Sequence, residues 1–204
     1  MTAAVVLAAG HADRMGSNKL VLPLGPGSVI GNVLEAACGS ADAVYVVIGL
    51  HDQVTRTAVE EAARTLGAVD KVEVVEGVPY DPGMFISVQS GLRRCVGADV
   101  VLIFPGDIPL VSSPTAVAVR DAVLGGGADA AVPAHQGRRG HPLAVAGRCI
   151  PELLAMSTHA NLRQFLEAHA AGTTLVPVND AGMLQDMDTP EDYARIQQRS
   201  GEER

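Results

Sequence analysis

The stretch VLAAGHADRMGSNKLVLP, residues 6–23, joins the end of an apolar run to a loop that contains glycine. The run AAVVLA at 3–8 is apolar throughout, which predicts a strand covered on both faces. The loop after it carries Gly10, Arg14 and Lys19. Small residues let a ligand approach the backbone closely, and successive N–H groups can bind an anion. We therefore expect a binding site in this loop.

Five further short runs alternate with longer amphipathic segments. The runs are AVYVVI (43–48), KVEVVE (71–76), DVVLIF (99–104), ADAAVP (128–133) and TTLVPV (173–178). Helical spacing occurs around 28–40, 52–66, 85–96, 113–124, 160–171 and 190–199. This alternation predicts an α/β fold of three layers, α/β/α, with a mostly parallel central sheet. The alternating polarity of KVEVV favours a position nearer the sheet edge.

Cap chemistry marks two of the helix starts. Ser113 precedes Pro114, which predicts an N-cap followed by proline in the first turn. Thr189 precedes Pro190, and Asp192 is placed to reach back from the third helical position. We find no repeat and no linker in the sequence, so residues 1–204 are expected to form one domain with a frayed tail at about 200–204.

Composition limits the class of protein. The 204 residues are 48% hydrophobic and carry a net charge of −8, which disfavours nucleic acid as a partner because no basic stripe is present. No apolar run approaches the ~20 residues needed to cross a bilayer, and no basic leader precedes the first strand. Cys38, Cys95 and Cys149 match no metal or disulfide spacing. We expect a soluble cytoplasmic protein with free, buried thiols and no membrane partner.

Two common phosphate-binding motifs are excluded by spacing. A P-loop requires GxxxxGK followed by Ser or Thr. Here Gly10 and Gly16 are one residue too far apart, and Leu20 follows Lys19. The dinucleotide motif GxGxxG fails because Ala12 occupies the place of its second glycine. An ordinary turn with solvated cations remains the alternative for this loop.

The whole string resembles LAAGxSxRMGxxK, the signature of the nucleotidyltransferases of glycosyltransferase-A-like fold, the MobA-like NTP transferases. That family transfers NMP from an NTP to an acceptor phosphate. The resemblance implies a glycosyltransferase-A-like nucleotidyltransferase fold and catalytic roles for Arg14, Lys19 and Asp107. One departure is Ala12, where the family has Ser. The nucleotide-binding residues that the resemblance implies are Leu7, Ala8, Ala9, Gly10, Arg14, Lys19, Ser87 and Gly106.

Ser87 belongs to GMFISVQSGL, residues 83–92. A serine in the first turn of a helix can cap that helix or bind the edge of a base. The segment is similar to the SVxxGL of related cytidylyltransferases, which faces the pyrimidine. The resemblance therefore implies that Ser87 contacts the base.

Two aspartates are candidate metal ligands. Asp107 follows a predicted buried strand in VLIFPGDIPLV (101–111), and Asp188 precedes a predicted helix in LQDMDTPEDY (184–193). Mg²⁺ is bound in proteins by one or two carboxylates together with phosphates and waters. The resemblance implies Mg²⁺, with Mn²⁺ as an alternative, on both residues. A turn aspartate and a helix-dipole charge are the plainer interpretations, and Asp186 is either a supporting residue or solvated.

The segment GRRGHPLAV, residues 137–145, places cations and a histidine before a predicted strand. They could bind the acceptor, and we assign this role to Arg139, Gly140 and His141. Which of Arg138, Arg139 and His141 contacts the acceptor stays open. An exposed hairpin with a solvated basic tip is the alternative.

Within the family, the segments RGHP, NLRQFL (161–166) and DxDTPEDY are most similar to molybdenum cofactor cytidylyltransferases. The implied substrates are CTP, or another NTP, and a phosphorylated pterin cofactor, with transient docking to a molybdoenzyme. GMP transfer to the same cofactor and NMP transfer to a sugar or polyol phosphate are the enzymatic alternatives. A carrier that binds the cofactor without catalysis is the alternative from another class, and release of pyrophosphate distinguishes it.

Overall fold

A mostly parallel sheet of eight strands organises the part of the chain that the structure describes. The structure is a computed structural model and describes residues 1–10, 18–78 and 84–202. Each of the six predicted runs forms a strand. In chain order the strands are β1 (Thr2–Ala8), β2 (Pro23–Leu24), β3 (Gly27–Ser28), β4 (Ala43–Gly49), β5 (Val72–Val78), β6 (Val100–Pro105), β7 (Ala130–His135), β8 (Arg138–Arg139), β9 (Leu143–Ala146) and β10 (Thr173–Pro177).

The strand order explains where the loops meet. The order is β10-β7-β9-β6-β1-β4-β5, with β8 paired to β7 and with β2 and β3 in a separate hairpin. Strand β1 lies between β4 and β6 and is parallel to both, whereas β9 is antiparallel to β6 and β7. The position of β5 at one end confirms the prediction from KVEVV. The carboxyl ends of β1, β4 and β6 therefore meet at one edge of the sheet, together with the start of β9.

Helices cover both faces of this sheet. They are α1 (Val29–Ser40), α2 (Gln53–Thr65), α3 (Met84–Arg94), α4 (Ser113–Gly126), α5 (Ile150–Ala155), α6 (Leu162–Ala168) and α7 (Pro190–Glu202). Helix α1 packs against α2 and α4, while α3 packs against β1, β4, β5 and α5. Successive residues of a strand point to opposite faces, and Ala3, Ala4, Val5 and Val6 are all 0% exposed. Both faces are thus covered, and the three-layer α/β/α prediction is confirmed.

The two predicted caps have different outcomes. Thr189 Oγ1 accepts a hydrogen bond from Asp192 N at 3.2 Å, and Asp192 Oδ2 accepts one from Thr189 N at 3.0 Å, so the reciprocal cap is confirmed. The cap of α4 is Ser112 rather than Ser113, because Ser112 Oγ accepts from Thr115 N. Ser113 is therefore already helical, and Pro114 follows it within the first turn.

Other elements differ from the sequence prediction at their ends. Helix α6 is shorter than the predicted 160–171 and is followed by a 3₁₀ turn at Ala170–Gly172. Helix α5 has six residues, too few to produce a recognisable period. Helix α7 is described as far as Glu202, and the frayed tail expected from about residue 200 stays a prediction.

The helices and the cysteines can be compared with what the composition led us to expect. None of the helices within the described ranges combines the length and the apolar character that crossing a membrane requires. All three cysteines are free, with Cys95 and Cys149 buried and Cys38 half-buried. Burial raises the pKa of Cys95 to about 12, which keeps this thiol protonated and unreactive.

Candidate functional site

Lys19 is positioned by a short 3₁₀ helix, Lys19–Val21, that begins eleven residues after the end of β1 at Ala8. Asn18 caps this helix, its Oδ1 accepting from Leu20 N at 3.2 Å. The Asn18 side chain also donates to Oγ1 of Thr55 at 2.7 Å, and Thr55 is fully buried. Leu20 is 4% exposed and belongs to the core. The backbone on both sides of Lys19 is therefore anchored, and only its side chain extends toward the sheet edge.

Asp107 is held at the carboxyl end of β6 by the close approach of β1. Gly106 N donates to Leu7 O at 2.9 Å, and a Cβ atom at Gly106 would lie 2.7 Å from the same oxygen. Real Cβ atoms do not come this close to backbone oxygen, so only glycine fits at this position. Asp107 O accepts from Met187 N at 3.0 Å. This bond ties the loop of Asp107 to the distant segment that contains Asp188.

Asp188 lies between a buried anchor and a helix cap. Met187 is 0% exposed and fixes the segment to the core. Asp188 N donates to Oδ2 of Asp192 at 3.2 Å, so the start of α7 holds the backbone of Asp188 from the other side. The side chain of Asp188 is 45% exposed and is thus accessible to a ligand.

Lys19 brings these two carboxylates together. Its Nζ lies 2.7 Å from Asp107 Oδ2 and 2.8 Å from Asp188 Oδ1. Burial pushes the pKa of Lys19 down, but the hydrogen bonds to Asp107 and Asp188 outweigh burial and raise the pKa above its usual value. Lys19 is therefore positively charged, and the three side chains form one compact charged cluster at the carboxyl edge.

The donor set of this cluster suits a hard divalent cation. Asp107 and Asp188 come from different segments, and an oxygen of each reaches the same ammonium group. Mg²⁺ and Mn²⁺ prefer oxygen ligands, and Mg²⁺ sites commonly combine one or two carboxylates with waters and substrate phosphates. The residues present therefore fit the metal that the sequence suggests.

The residues at the end of β1 range from buried to exposed. Leu7 is half-buried, Ala8 is 2% exposed and Gly10 is exposed. A Cβ atom at Gly10 would have no neighbouring atom within 4 Å among the described residues. Ala9 is half-buried between them. Arg14, His11, Ala12 and Gly16 lie outside the described residues, and the predicted role of Arg14 stays a prediction.

Ser87 is in the first turn of α3 and is 8% exposed. Five residues separate the end of β5, at the carboxyl edge, from the start of α3, so Ser87 lies near that edge. Gln89, two residues further, donates through Nε2 to the carbonyls of Leu153 at 3.1 Å and Met156 at 2.9 Å. These bonds fix α3 to the end of α5 and thereby set the position of Ser87.

The predicted acceptor segment borders the cluster through His141. His141 N donates to Met183 O at 3.2 Å, and Gly140 N donates to Pro133 O at 2.9 Å. Burial lowers the pKa of the His141 imidazole, while the charges of Asp107 and Asp186 act in the opposite direction. A neutral His141 presents one N–H donor and one acceptor nitrogen beside the carboxylates.

The two arginines of the same segment are less well placed. Arg138 and Arg139 form β8 and are both exposed. Neither guanidinium has a hydrogen bond or ion pair with another described residue. Neighbouring residues of a strand point to opposite faces. The structure therefore does not bring Arg138 and Arg139 to one point, and the assignment of Arg139 remains a prediction.

Sequence reasoning missed Gln185. Its Oε1 is buried and has no hydrogen-bond partner among the described residues. A buried amide oxygen without a donor is costly, so this atom is an acceptor available to a ligand or to water. Its place in LQDMDTPEDY was visible, but the neighbouring aspartates gave the stronger signal. The exposed Asp186 lies beside it without a direct bond to Lys19.

Comparison with known proteins gives a consistent result. A family model described as MobA-like NTP transferase domain matches residues 4–173. The molybdenum cofactor cytidylyltransferase of Escherichia coli K12 is 23% identical over 195 residues, covering 96% of this chain and 95% of that protein. Purine catabolism protein PucB of Bacillus subtilis 168 is 30% identical over 202 residues, covering 94% of each. A nucleotidyl transferase from Methanothermobacter superposes with a TM-score of 0.80 at 26% identity, covering 100% of this chain and 99% of that one.

The family model covers only part of the candidate site. Lys19, Ser87, Asp107 and His141 lie within the range 4–173, whereas Asp188 lies beyond it. The relative from Escherichia coli and the structure from Methanothermobacter align over nearly the whole chain. The similarity to these two proteins therefore includes the segment that contains Asp188.

Proposed function

The chain belongs to the MobA-like NTP transferase family, and on this premise we propose that it transfers CMP from CTP to the terminal phosphate of a molybdopterin-type cofactor. Nucleotidyl transfer follows from the family. The choice of cytidine and pterin is supported by the likeness to the molybdenum cofactor cytidylyltransferase of Escherichia coli and by the segments RGHP and NLRQFL. The three free thiols suit the reducing cytoplasm, where we place the reaction.

One observation carries the proposal: Lys19 Nζ contacts Asp107 and Asp188 at 2.7 and 2.8 Å. The three residues come from three distant segments, at the edge where α/β sheets bind ligands. An ammonium between two carboxylates is a poor catalyst for acid–base chemistry, since the hydrogen bonds to both carboxylates raise the pKa of Lys19 and keep it protonated. It is a suitable arrangement for binding a phosphate chain together with a divalent cation.

The reaction needs positioning more than proton transfer. An oxygen of the acceptor phosphate attacks the α-phosphorus of CTP, and the bond from that phosphorus to the oxygen bridging to the β-phosphate breaks. Pyrophosphate leaves with the electron pair. The second pKa of a phosphate monoester is about 6, so the acceptor is ionised near neutral pH and requires no general base. The side chains act by holding two anions in line.

Each charged residue has a proposed part in holding the reactants. Lys19 and Arg14 bind the β- and γ-phosphates and stabilise the departing pyrophosphate. Asp107 and Asp188 hold the divalent cation, in keeping with the common use of such metals in this family. When bound, Mg²⁺ or Mn²⁺ neutralises the charge of the phosphates.

Base and acceptor are recognised by neutral groups in this proposal. Ser87 contacts the cytosine edge, and the backbone of Leu7, Ala8, Ala9 and Gly10 with Gly106 faces the nucleotide. The half-buried, neutral His141 hydrogen-bonds the acceptor beside Gly140, and Arg139 binds its phosphate. Because Gly106 and Gly140 each lie against backbone oxygen, any side chain there would displace these loops.

The proposal is tested by incubating the protein with α-labelled CTP, molybdopterin-type cofactor and Mg²⁺. We expect labelled dinucleotide and an equal amount of pyrophosphate. Asp107→Asn should lower the turnover about 100-fold or more, because a divalent ion contributes several kcal/mol and each 1.36 kcal/mol is tenfold. Asp70→Asn, at an exposed site, is the matched control and should leave turnover unchanged.

Four outcomes contradict parts of this proposal. Faster transfer from GTP than from CTP would show that the nucleotide substrate is GTP. Transfer to a sugar or polyol phosphate in preference to the pterin changes the acceptor. Tight binding of the cofactor without release of pyrophosphate from any NTP identifies a carrier. Full Mg²⁺-dependent activity in Asp107→Asn removes the metal assignment.

A further inference from the structure

A second cluster of ligating side chains lies at the opposite edge of the sheet. Asp129 immediately precedes β7, Cys149 ends the turn after β9, and His169 follows α6. Strands β6 and β7 are both antiparallel to β9, so Asp129 is at the amino-end edge whereas Asp107 follows a carboxyl end. Six residues of strand span roughly 20 Å. The cluster is therefore separate from the candidate nucleotide site.

The donor atoms are already close to the spacing of a tetrahedral site. Asp129 Oδ2 is 3.0 Å from His169 Nδ1, and Asp129 Oδ1 is 3.8 Å from Cys149 Sγ. One ligand atom from each of the three residues lies within 4.8 Å of the others. Zinc bonds of about 2.0 Å to N and O and 2.3 Å to S place tetrahedral neighbours about 3.3 to 3.6 Å apart. Small side-chain shifts would thus bring all three onto one ion.

The orientation of the histidine favours a metal. His169 Nε2 lies 3.0 Å from the carboxylate of Glu152, which can only accept. The hydrogen bonds to Asp129 and Glu152 raise the pKa of His169, so without an ion the ring donates to both carboxylates. An ion that binds at Nδ1 takes the place of that proton, and the Nε2 proton stays in the hydrogen bond to Glu152. A carboxylate behind a ligating histidine is the usual support in metal sites. The ring also packs on Phe165, with centroids 4.4 Å apart, so its plane is fixed.

Charge and access are compatible with a divalent ion. A carboxylate from Asp129 and a thiolate from Cys149 would neutralise it, while Arg148 and Glu152 balance each other. Arg148 Nη2 binds Asp129 Oδ1 at 2.9 Å and leaves Oδ2 directed to His169. The side chains of His169 and Asp129 are 20% and 29% exposed, whereas Cys149 is 4% exposed, so an ion and a water would reach the site from the side of His169 and Asp129.

We propose that Asp129, Cys149 and His169 bind one divalent ion of the zinc type, with water as the fourth ligand. The mixed S, N and O donors select zinc over magnesium. The bound ion joins three segments that are distant in sequence: the start of β7, the turn before α5 and the end of α6. It therefore stabilises the side of the sheet that carries β10 and takes no part in nucleotidyl transfer.

The test is a titration of the whole protein with Co²⁺, which reports a thiolate ligand by charge-transfer absorption. We expect one equivalent to produce this band and Zn²⁺ to displace it. Cys149→Ser should abolish the band. Cys38→Ser, at a half-buried thiol elsewhere, is the matched control and should retain it. Asp107→Asn should retain it too, which separates this site from the nucleotide site.

A second variant, Glu152→Gln, tests the site even if Cys149→Ser fails to fold. Loss of the carboxylate behind His169 should weaken Co²⁺ binding about 10- to 100-fold while circular dichroism stays unchanged. Absence of the band in the unsubstituted protein overturns the proposal, and so does a band that survives Cys149→Ser. Unchanged affinity in Glu152→Gln contradicts the assigned orientation of His169 and the site built on it.

Discussion

At the scale of single residues, Lys19 is the position on which the candidate site depends. It is one of the few buried charged residues among those described, and both of its ion-pair partners are carboxylates of the proposed metal site. Its ammonium keeps two negative groups close together. When a phosphate chain binds, the Lys19 ammonium can exchange its bonds to Asp107 and Asp188 for bonds to the phosphates, because both are charge-assisted hydrogen bonds.

Replacing Lys19 by Met should destabilise the protein by about 1–3 kcal/mol, since two partly buried carboxylates then lose their shared partner. Added Mg²⁺ should recover part of this loss by binding the same oxygens. Urea unfolding with and without Mg²⁺ measures both effects. Lys71→Met serves as the control, because Lys71 bonds a backbone carbonyl at Cys38 and its loss should not respond to Mg²⁺. A Lys19→Met variant that is indifferent to Mg²⁺ would contradict the metal assignment.

At the scale of elements, the segment between β10 and α7 is held by Asp180. Its Oδ2 accepts from Ser112 N at 3.0 Å, Ser112 Oγ at 2.8 Å and Thr115 Oγ1 at 2.6 Å. Its Oδ1 accepts from Gly182 N at 2.9 Å. Burial pushes the pKa of Asp180 up, but these hydrogen bonds together outweigh burial and hold the pKa below its usual value. One carboxylate thus connects the start of α4 to the segment that carries Asp188.

Asp180→Asn should lower the free energy of unfolding by about 1.5–3 kcal/mol at pH 7, the range for hydrogen bonds to a charged group. The folded pKa is depressed, so this contribution is present above the unfolded pKa of about 3.9 and is lost as the pH falls through the lower folded value. The difference between the two proteins should therefore shrink below about pH 4. Urea unfolding at several pH values measures it, and a difference that stays constant down to pH 2 would exclude ionisation of Asp180 as its cause. Asp70→Asn is the exposed control.

At the scale of the whole molecule, the distance between helix α3 and the sheet depends on Gly91. Gly91 of α3 faces the centre of the sheet, where a Cβ atom would overlap Val5 of β1 and lie 3.1 Å from Val47 of β4. The same helix carries Ser87 near its start. Moving α3 outward would therefore both loosen the core and displace a proposed base contact.

Gly91→Ala should destabilise the protein despite the better helix propensity of alanine. The propensity gain is about 1 kcal/mol, while overpacking a core costs about 1–3 kcal/mol, so the net change is a modest loss. Gly125→Ala in α4 is the matched control, since none of the described residues outside its own helix turn has an atom within 4 Å of a Cβ there. Thermal unfolding of both variants checks this prediction. Equal stabilisation by the two substitutions would show that the layers can separate without cost.

The fold followed from local patterns because each central strand has a continuous apolar run. Strands β1, β4 and β6 and helices α1 to α4 were predicted within a few residues of their observed ends. Periodicity fails for short elements such as α5 and the hairpin of β2 and β3, where too few residues are present to show a period. It also placed the cap of α4 one residue late, since Ser112 and Ser113 offer the same hydroxyl and only the backbone conformation distinguishes them.

The sequence by itself placed Lys19 and Asp107 after predicted strands and Asp188 before a predicted helix, and the resemblance of these segments to a known family singled the three residues out. Only the tertiary structure decided that they meet, because they are 88 and 169 positions apart and their contact depends on strand order and on the bond between Met187 and Asp107. The same reason explains why Gln185 and the cluster of Asp129, Cys149 and His169 escaped notice. No local motif marks them, since burial and contact across the sheet arise only when the layers pack.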